Sequence, residues 1–387
     1  MENQTSAGCG GECLDGAGQA GLGRSISGNH DGCNALTFID VCAGIGGIRL
    51  AMEAAGGKCV FSSEIDEKAR LTYHANFGEW PSGDITKIQA DDVPGHDILC
   101  AGFPCQSFSL CGNQKGFEDK TRGTIFFELT RIIAAKKPAV VFLENVPNLL
   151  KHDKGRTFAV IQRALEDIGY FVFHQVLNAS LYGSPTARKR VFIVAFRHDL
   201  GICNFEFPKP TLEQVKLADV LMDDSETDRW VIRNHQITID DELVAKTSGT
   251  TALKAVRVGY VGATRKAKQG YRVYGEFGHA VTFCAHGGGM GAKSGLYYIH
   301  SRVRRLHPRE CLRVMGYPDS FVIPSSISAD QVRTLAGNSV AVPVVRRICE
   351  AIVAALSEAR QSPRDVHAEQ SPPITEPFET VQATRVG

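Results

Sequence analysis

Three sets of residues in the chain have the types and spacing of a reaction centre. Residues 101–109, Ala-Gly-Phe-Pro-Cys-Gln-Ser-Phe-Ser, put Cys105 directly after Pro104 at the carboxyl end of an apolar run. Parallel α/β sheets bind their ligands at that end. A cysteine taken at random is usually a small buried hydrophobe; the Gly, Pro, Gln and Ser around Cys105 instead describe an exposed loop, where a thiol serves as a nucleophile. Residues 142–146, Phe-Leu-Glu-Asn-Val, close a second apolar run with a carboxylate, Glu144, at the same sheet edge. Arg188, Lys189 and Arg190 stand just before a third. A thiol attacks at neutral pH when its pKa is lowered or cations flank it. An acid held beside the acceptor can protonate it as the thiol adds. Cys105, Glu144, Arg188 and Arg190 converging on one pocket would carry out covalent, acid-assisted catalysis.

A further set points to a nucleoside. In residues 40–47, Asp-Val-Cys-Ala-Gly-Ile-Gly-Gly, glycines 44, 46 and 47 fall where a strand meets a helix N-terminus, so a ligand can approach the backbone closely. The third glycine of the dinucleotide fingerprint would fall at Arg49, which counts against a nicotinamide-dependent oxidoreductase. Glu64 follows about 20 residues on, where a carboxylate can hold ribose hydroxyls. Asp84 could accept from an adenine amino group, with Ile85 packing on the ring. The plain alternative for both acids is turn and cap chemistry. A nucleoside without a pyrophosphate satisfies the whole set.

The elements that must hold these residues are strands alternating with helices. Apolar runs at 36–41, 59–63, 97–101 and 139–143 read as strands. A helix at 48–55 stops at Gly56 and Gly57, and Phe158, Ile161, Leu165 and Ile168 keep helical spacing before Gly169. Runs at 170–177 and 191–196 read as a hairpin-like pair. The fold class is therefore α/β with a mostly parallel sheet. From about 200 to 305 the texture is irregular, which predicts a second, smaller domain. Residues 336–357 carry Gly337, Asn338 and Ser339, then an amphipathic helix led by Pro343 with Val344, Val345, Ile348, Ile352 and Leu356 on the face that must return to the first domain. The expected organisation is a tail at 1–35, a first domain at 36–197, a second at 198–307, a hinge and return segment at 308–357, and a tail at 358–387.

Composition narrows the setting. At 387 residues the chain can bury a real core. It has no apolar run near the roughly 20 residues a bilayer requires, and its start lacks the pattern of a signal peptide. A soluble, cytoplasmic protein is expected. Of its 12 cysteines, 42, 59, 100 and 349 sit in apolar runs, as reduced thiols do. Cys9, Cys13, His30 and Cys33 have zinc-compatible types at a non-standard spacing; the surrounding Gly- and Ser-rich composition favours disorder, and no metal is expected. The net charge of +1 conceals a basic interval at 254–309: Lys254, Arg257, Arg265, Lys266, Lys268, Arg272, Lys293, Arg302, Arg304, Arg305 and Arg309 are opposed within it only by Glu276. Charge runs are commonly solvated faces. Gly, Tyr and Gln between the charges, as in 269–272, favour instead a loop that approaches nucleic-acid bases.

Taken in order, the Gly-rich opening, Gly-Phe-Pro-Cys-Gln, Glu-Asn-Val, Arg-x-Arg and the late Gly-Asn-Ser-Val closely resemble the blocks of the cytosine-5 DNA methyltransferases, over about residues 36–355. The resemblance implies a Rossmann-like methyltransferase sheet with a smaller, mainly β and irregular target-recognition domain, S-adenosyl-L-methionine as cofactor, and double-stranded DNA as partner. It implies that Cys105 adds to C6 of a flipped-out cytosine, that Glu144 holds N3 and the exocyclic amine, that Arg190 with Arg188 braces the base, and that residues 107–124 form a closing lid. Cys42, Gly44, Gly46, Gly47, Glu64, Ile65, Asp84, Ile85, Pro104 and Asn338 would line the cofactor site. Three positions depart from the family pattern: Thr186 stands for a glutamine, Ile65 for a large aromatic and Cys42 for phenylalanine.

Residues 256–262, 269–274 and 287–289 are also similar to the recognition domain of a bacterial type II restriction-modification methyltransferase that reads GCGC. Arg272 would then read a guanine and Gln269 would fill the space the cytosine leaves. The DNA-contacting set implied is Gln106, Ser109, Cys111, Gln269, Arg272, Thr282, His286, Gly287, Gly288 and Gly289. His286 takes a tyrosine's place, and 263–268 carries a small insertion. No obligate protein partner is expected; one reader per catalytic domain predicts a nucleoid-associated monomer, and the resemblance brings with it the idea of a cognate restriction endonuclease. Two rival readings are a tRNA cytosine-5 methyltransferase and an inactive DNA-binding member of the fold.

Overall fold

The computed structural model describes residues 35–104, 125–211, 214–248, 254–262, 270–283 and 295–361. Its first sheet contains β1 (Thr37–Val41), β2 (Lys58–Ser63), β3 (Ile98–Gly102), β4 (Val140–Asn145), β5 (Tyr170–Asn178) and β6 (Lys189–Arg197). Between them run α1 (Gly47–Ala54), α2 (Glu67–Phe77), α3 (Ile125–Lys136) and α4 (Arg156–Asp167). The spatial order is β2-β1-β3-β4-β6-β5. The first four strands are parallel, while β6 runs antiparallel to both β4 and β5. The expected mostly parallel sheet and its terminal hairpin-like pair are both present.

These strands read as apolar runs because both faces are covered. Phe38, Cys100, Val140, Phe142, Phe192, Val194 and Phe196 face one core, with Ile48 and Met52 of α1. Their neighbours Ile39, Val41, Leu99, Ala101, Val141, Leu143, Val191, Ile193 and Ala195 face the other, with Phe126, Leu129, Ile132 and Ile133 of α3 and Ile161 and Leu165 of α4. The period of two along each strand thus sorts side chains into two separate apolar layers.

The remaining elements are a single turn α5 (Asp224–Thr227), β7 (Ile237–Ile239), α6 (Asp241–Ser248), β8 (Arg257–Val261), β9 (Arg272–Gly275), β10 (Leu296–Ile299), β11 (Arg302–Arg304), α7 (Pro308–Val314), α8 (Ala329–Asn338) and α9 (Val342–Gln361). The second sheet has the order β11-β10-β9-β8-β7. Its small core gathers Val258, Val261, Val273, Leu296 and Val303. Strands of three to five residues carry too little periodicity to be read from sequence, which is why this stretch looked irregular. Helix α9 runs to Gln361, past the expected end at 357, and packs on α1, so the last helix covers the first βα unit. Among the described residues no helix is long and apolar enough to cross a membrane.

Candidate active site

Glu144 is the penultimate residue of β4. It pairs across the sheet with Gly102 of β3 on one side and Phe192 of β6 on the other. Its carboxylate is 9% exposed, and Arg190, the second residue of β6, brings Nε to 2.8 Å from Glu144 Oε1. Asn145 turns its Nδ2 to the carbonyl of Phe103 at 2.8 Å, fixing the end of β4 to the segment that leads into Pro104. Phe103 is buried and Pro104 exposed, so the chain leaves the sheet at that point. An acid, its cation and the Phe-Pro exit are therefore held at one strand edge by regular sheet pairing.

Cys105, Gln106, Ser109 and Cys111 lie outside the described residues, as do the expected lid and Cys9, Cys13, His30 and Cys33. The buried thiols that are described behave differently from a nucleophile. Burial, with Glu64, Asp40 and Asp84 nearby, pushes the Cys42 thiol up to about 12. Burial does the same to Cys59 and Cys311, and drives Cys100 and Cys349 up as well. Among the described residues no group of His, Cys, Asp and Glu is arranged to hold a metal ion.

Around the Gly-rich turn the three glycines have different reasons to be glycine. Gly44 has φ +56, and a Cβ there would meet nothing within 4 Å, so its face is open to a ligand. A side chain at Gly47 would come within 2.6 Å of Tyr317 Oη and 2.8 Å of Ser339 Oγ, and one at Gly46 would run into Phe77. These two are required by packing. Gly44 N–H donates to Glu64 Oε2 at 2.7 Å, while Glu64 Oε1 accepts from the Asp66 N–H at 2.8 Å. The carboxylate stands half-buried beside the open glycine with free lone pairs.

Asp84 caps a short turn, accepting from the Thr86 hydroxyl at 2.8 Å and its N–H at 3.0 Å, and these bonds hold its carboxyl below the ordinary range. Both acids do turn chemistry, as the plain alternative supposed, without losing their outward oxygens. Ile85 is buried with Val41 and Phe103 in one apolar layer, so it backs the pocket rather than presenting a free face. Ile65 is 73% exposed. Asn338 is the last residue of α8 and is exposed, between the buried Gly337 and Ser339. An open glycine, a half-buried carboxylate and an exposed amide and aliphatic side chain make a set that suits an adenosine-bearing ligand.

Arg188 departs from its expected place beside a base. It is 3% exposed and donates to the carbonyls of Phe283, Gly337 and Ser339. Thr186, where the family pattern has glutamine, is fully buried and bridges to Ala280.

The basic interval also needs correcting. Arg304 is completely buried and forms a two-pronged pair with Glu310, each N–O distance 2.7 Å. Arg302 pairs with Asp224, Arg305 with Asp330 at 3.1 Å, and Arg309 donates to the Phe321 carbonyl at 2.7 Å. Their partners lie outside residues 254–309, so the interval reads as almost unopposed in sequence. Among the other basic residues of the interval, Lys254 is exposed and Arg257 and Arg272 are partly so. Arg265, Lys266, Lys268, Gln269, His286, Gly287, Gly288, Gly289 and Lys293 lie outside the described residues. Thr282 donates Oγ1 to the Ala187 carbonyl at 2.9 Å, which brings it to the strand that carries Arg190.

Comparison with known proteins covers nearly all of the described chain. A family model for the C-5 cytosine-specific DNA methylases matches residues 36–354. The type II methyltransferase M.HhaI of Haemophilus parahaemolyticus is 46% identical over 322 residues, spanning 83% of this chain and 95% of that protein. The type II methyltransferase M.MspI of a Moraxella species is 44% identical over 333 residues, 85% of this chain and 73% of that one. Among solved structures, a methyltransferase of S. pombe described as Dnmt2 superposes with TM-score 0.61 at 17% identity, covering 84% of this chain and all of its own. A putative DNA modification methyltransferase from an E. coli prophage gives 0.59 at 21%, again over 84% of this chain and all of that one. At those identities the structures establish the fold alone.

Proposed function

The chain belongs to the C-5 cytosine-specific DNA methylases, and from that premise we propose that it methylates a flipped-out cytosine in GCGC through a covalent adduct with Cys105. It is a DNA (cytosine-5) methyltransferase that uses S-adenosyl-L-methionine. The cofactor, when bound, supplies an electrophilic methyl group. The observation that carries the site reading is the Arg190–Glu144 ion pair, one strand away from the Phe103-Pro104 exit.

Cys105 follows Pro104 immediately in sequence, and Pro104 is where the chain leaves the sheet beside Glu144. Its thiolate adds to C6 of the cytosine, and Glu144, oriented by Arg190, holds a proton at N3 and accepts from the exocyclic amine. The ring carbon C5 thereby becomes nucleophilic and takes the methyl group; loss of the C5 proton then expels Cys105 and restores the aromatic ring. Arg190 supplies positive charge beside both Glu144 and the base. Gly44 allows close approach of the ligand backbone-to-ribose, Glu64 accepts from ribose hydroxyls, Asp84 from the adenine amine, and Asn338 closes the same pocket. The apolar seat that the family builds from aromatics is reduced here to Cys42 and Ile65, which lowers cofactor affinity without touching the reacting atoms.

For the target, the supporting observations are the resemblance of residues 256–262 and 269–274 to a GCGC reader and the position of Arg272 at the start of β9. Arg272 would bind a guanine edge, and Gln269 and residues 286–289 would contact the opened duplex. The second sheet with its surrounding segments is the target-recognition domain. Relatives above 40% identity are named as type II methyltransferases, which favours duplex DNA over tRNA and an active enzyme over a silent one. The test is tritium transfer from labelled S-adenosylmethionine into duplexes that differ only in carrying GCGC or GAGC, with tRNA alongside. Label confined to GCGC is expected. Label in both duplexes would discard the site, and label in tRNA alone would discard the substrate class.

A further inference from the structure

Arg188 lies two residues before Arg190, yet its guanidinium reaches into the interior. Nη1 donates to the Phe283 carbonyl at 3.2 Å, and Nη2 to those of Gly337 at 3.0 Å and Ser339 at 2.5 Å. The two latter carbonyls bracket Asn338, which faces outward at the end of α8. Phe283 follows a stretch that is pinned to the second sheet, where Val281 N–H donates to Tyr297 Oη at 3.1 Å. The same segment lies along the approach to β6. Ala280 N–H donates to the Pro185 carbonyl at 2.8 Å and Thr282 Oγ1 to that of Ala187 at 2.9 Å. One planar cation, carried two residues ahead of Arg190, therefore touches two places at once: the residues around Asn338 and the segment that leads from the second sheet.

We propose that Arg188 is a positioning residue that couples the cofactor site to the DNA-facing segment. The proposal rests on the site reading given above for Glu144, Arg190 and Asn338. A buried cation is expensive unless its donors are satisfied, so displacing Phe283 or Gly337–Ser339 disturbs the same guanidinium. Two sites that share one such element bias each other's occupancy, and the bias is reciprocal. The five donors of a guanidinium form a fixed fork that can span carbonyls from separate segments; a lysine ammonium keeps the charge but is a compact point donor.

The experiment measures the affinity of the full chain for S-adenosylhomocysteine, by calorimetry, with and without a saturating GCGC duplex. In the unsubstituted protein the duplex is expected to tighten that binding about tenfold, within the usual span of allosteric coupling. In Arg188→Lys the coupling factor should fall below about threefold, while the affinity for either ligand alone moves less than about threefold, as expected when only the coupling is lost. Thr282→Val, which removes one neutral bond of the same seam and leaves the buried charge intact, should reduce the coupling partway. It keeps the test available if Arg188→Lys fails to fold. Unchanged coupling in the foldable variants, or no coupling in the unsubstituted protein, overturns the proposal. So does a loss of solo affinity with coupling intact, which would make Arg188 part of the cofactor pocket's frame only. Methyl transfer to the same duplex is scored in parallel: transfer without coupling sinks the clamp alone, and no transfer sinks the reading beneath it.

Discussion

The turns beside the first sheet and the strands of the second use charge differently. In the first, Glu64 and Asp84 are held by backbone N–H groups and by Thr86, so their negative charge remains available at the surface of the turn. In β11 and just after it, three successive arginines are paired: Arg302 with Asp224 and Asp228, Arg304 with Glu310, Arg305 with Asp330. The first arrangement presents groups to a ligand; the second uses charge to hold short strands in register against a helix. A count of basic residues therefore overstates the exposed charge of the second region, while Glu64 and Asp84 of the first keep partly exposed carboxylates.

The largest expected effect lies at the strand edge of the first sheet. Cys105→Ser should lower methyl transfer by on the order of 10⁴-fold while leaving duplex binding nearly unchanged, since only the covalent step needs a thiolate. Loss of a trapped adduct on 5-fluorocytosine DNA would accompany it; retained transfer would remove the thiol from the mechanism.

In the second region the largest effect should be on stability. Arg304→Met strands a fully buried Glu310, whose carboxylate also accepts from the N–H groups of Met222 and His307. Removing one partner of such a pair costs about 3–5 kcal/mol, read as a drop in thermal or urea midpoint. If melting is unchanged, the ion pair does not hold the region together. The double substitution Arg304→Met with Glu310→Leu should recover most of the loss, because no charge is then left unpaired.

A smaller contrast separates the glycines. Gly47→Ala should destabilise by about 1–3 kcal/mol as its methyl group meets Tyr317 and Ser339. Gly44→Ala meets no atom, so beyond the modest cost of its left-handed backbone its effect should fall on the KM for S-adenosylmethionine. Equal stability losses and an unchanged KM would erase the distinction.

The smallest effect concerns pH. Asp84 has its carboxyl lowered from 3.8 by the Thr86 hydroxyl, the Thr86 N–H and Lys87. A depressed folded value means that the stabilisation is complete above about pH 3.8 and disappears as pH falls through the lower folded value. Asp84→Asn should therefore flatten a small part of the acid side of a stability profile and leave stability differences constant from pH 6 upward. A difference that grows between pH 6 and 8 would contradict this assignment.

Much of the first sheet was legible because both its faces are buried, which turns each strand into an apolar run with chemistry at its carboxyl end. Glu144 and the open Gly44 followed from that rule, while Arg190 stands near the amino end of β6 and reaches the same edge because that strand runs antiparallel. The second sheet was not legible as strands: Ile237–Ile239 and Arg302–Arg304 are too short to declare a period. Nor was the fate of Arg188. Its partners are carbonyls, which every residue has, and the bonds reach across 95 to 151 positions of sequence. Pattern can show that an arginine sits beside a strand; it cannot show that the side chain turns inward.

The packing of α9 on α1 also has a meaning for synthesis. The turn that opens with Gly44 is made early, but the floor under Gly47 consists of Tyr317, Ser339 and Val340, and the cover over α1 arrives only with α9. A ribosome that has delivered Cys105 and Glu144 has not yet supplied the seat on which the glycine turn rests. Because that seat is translated after β11, the nascent polypeptide has every strand of its second sheet before the glycine turn of its first is seated.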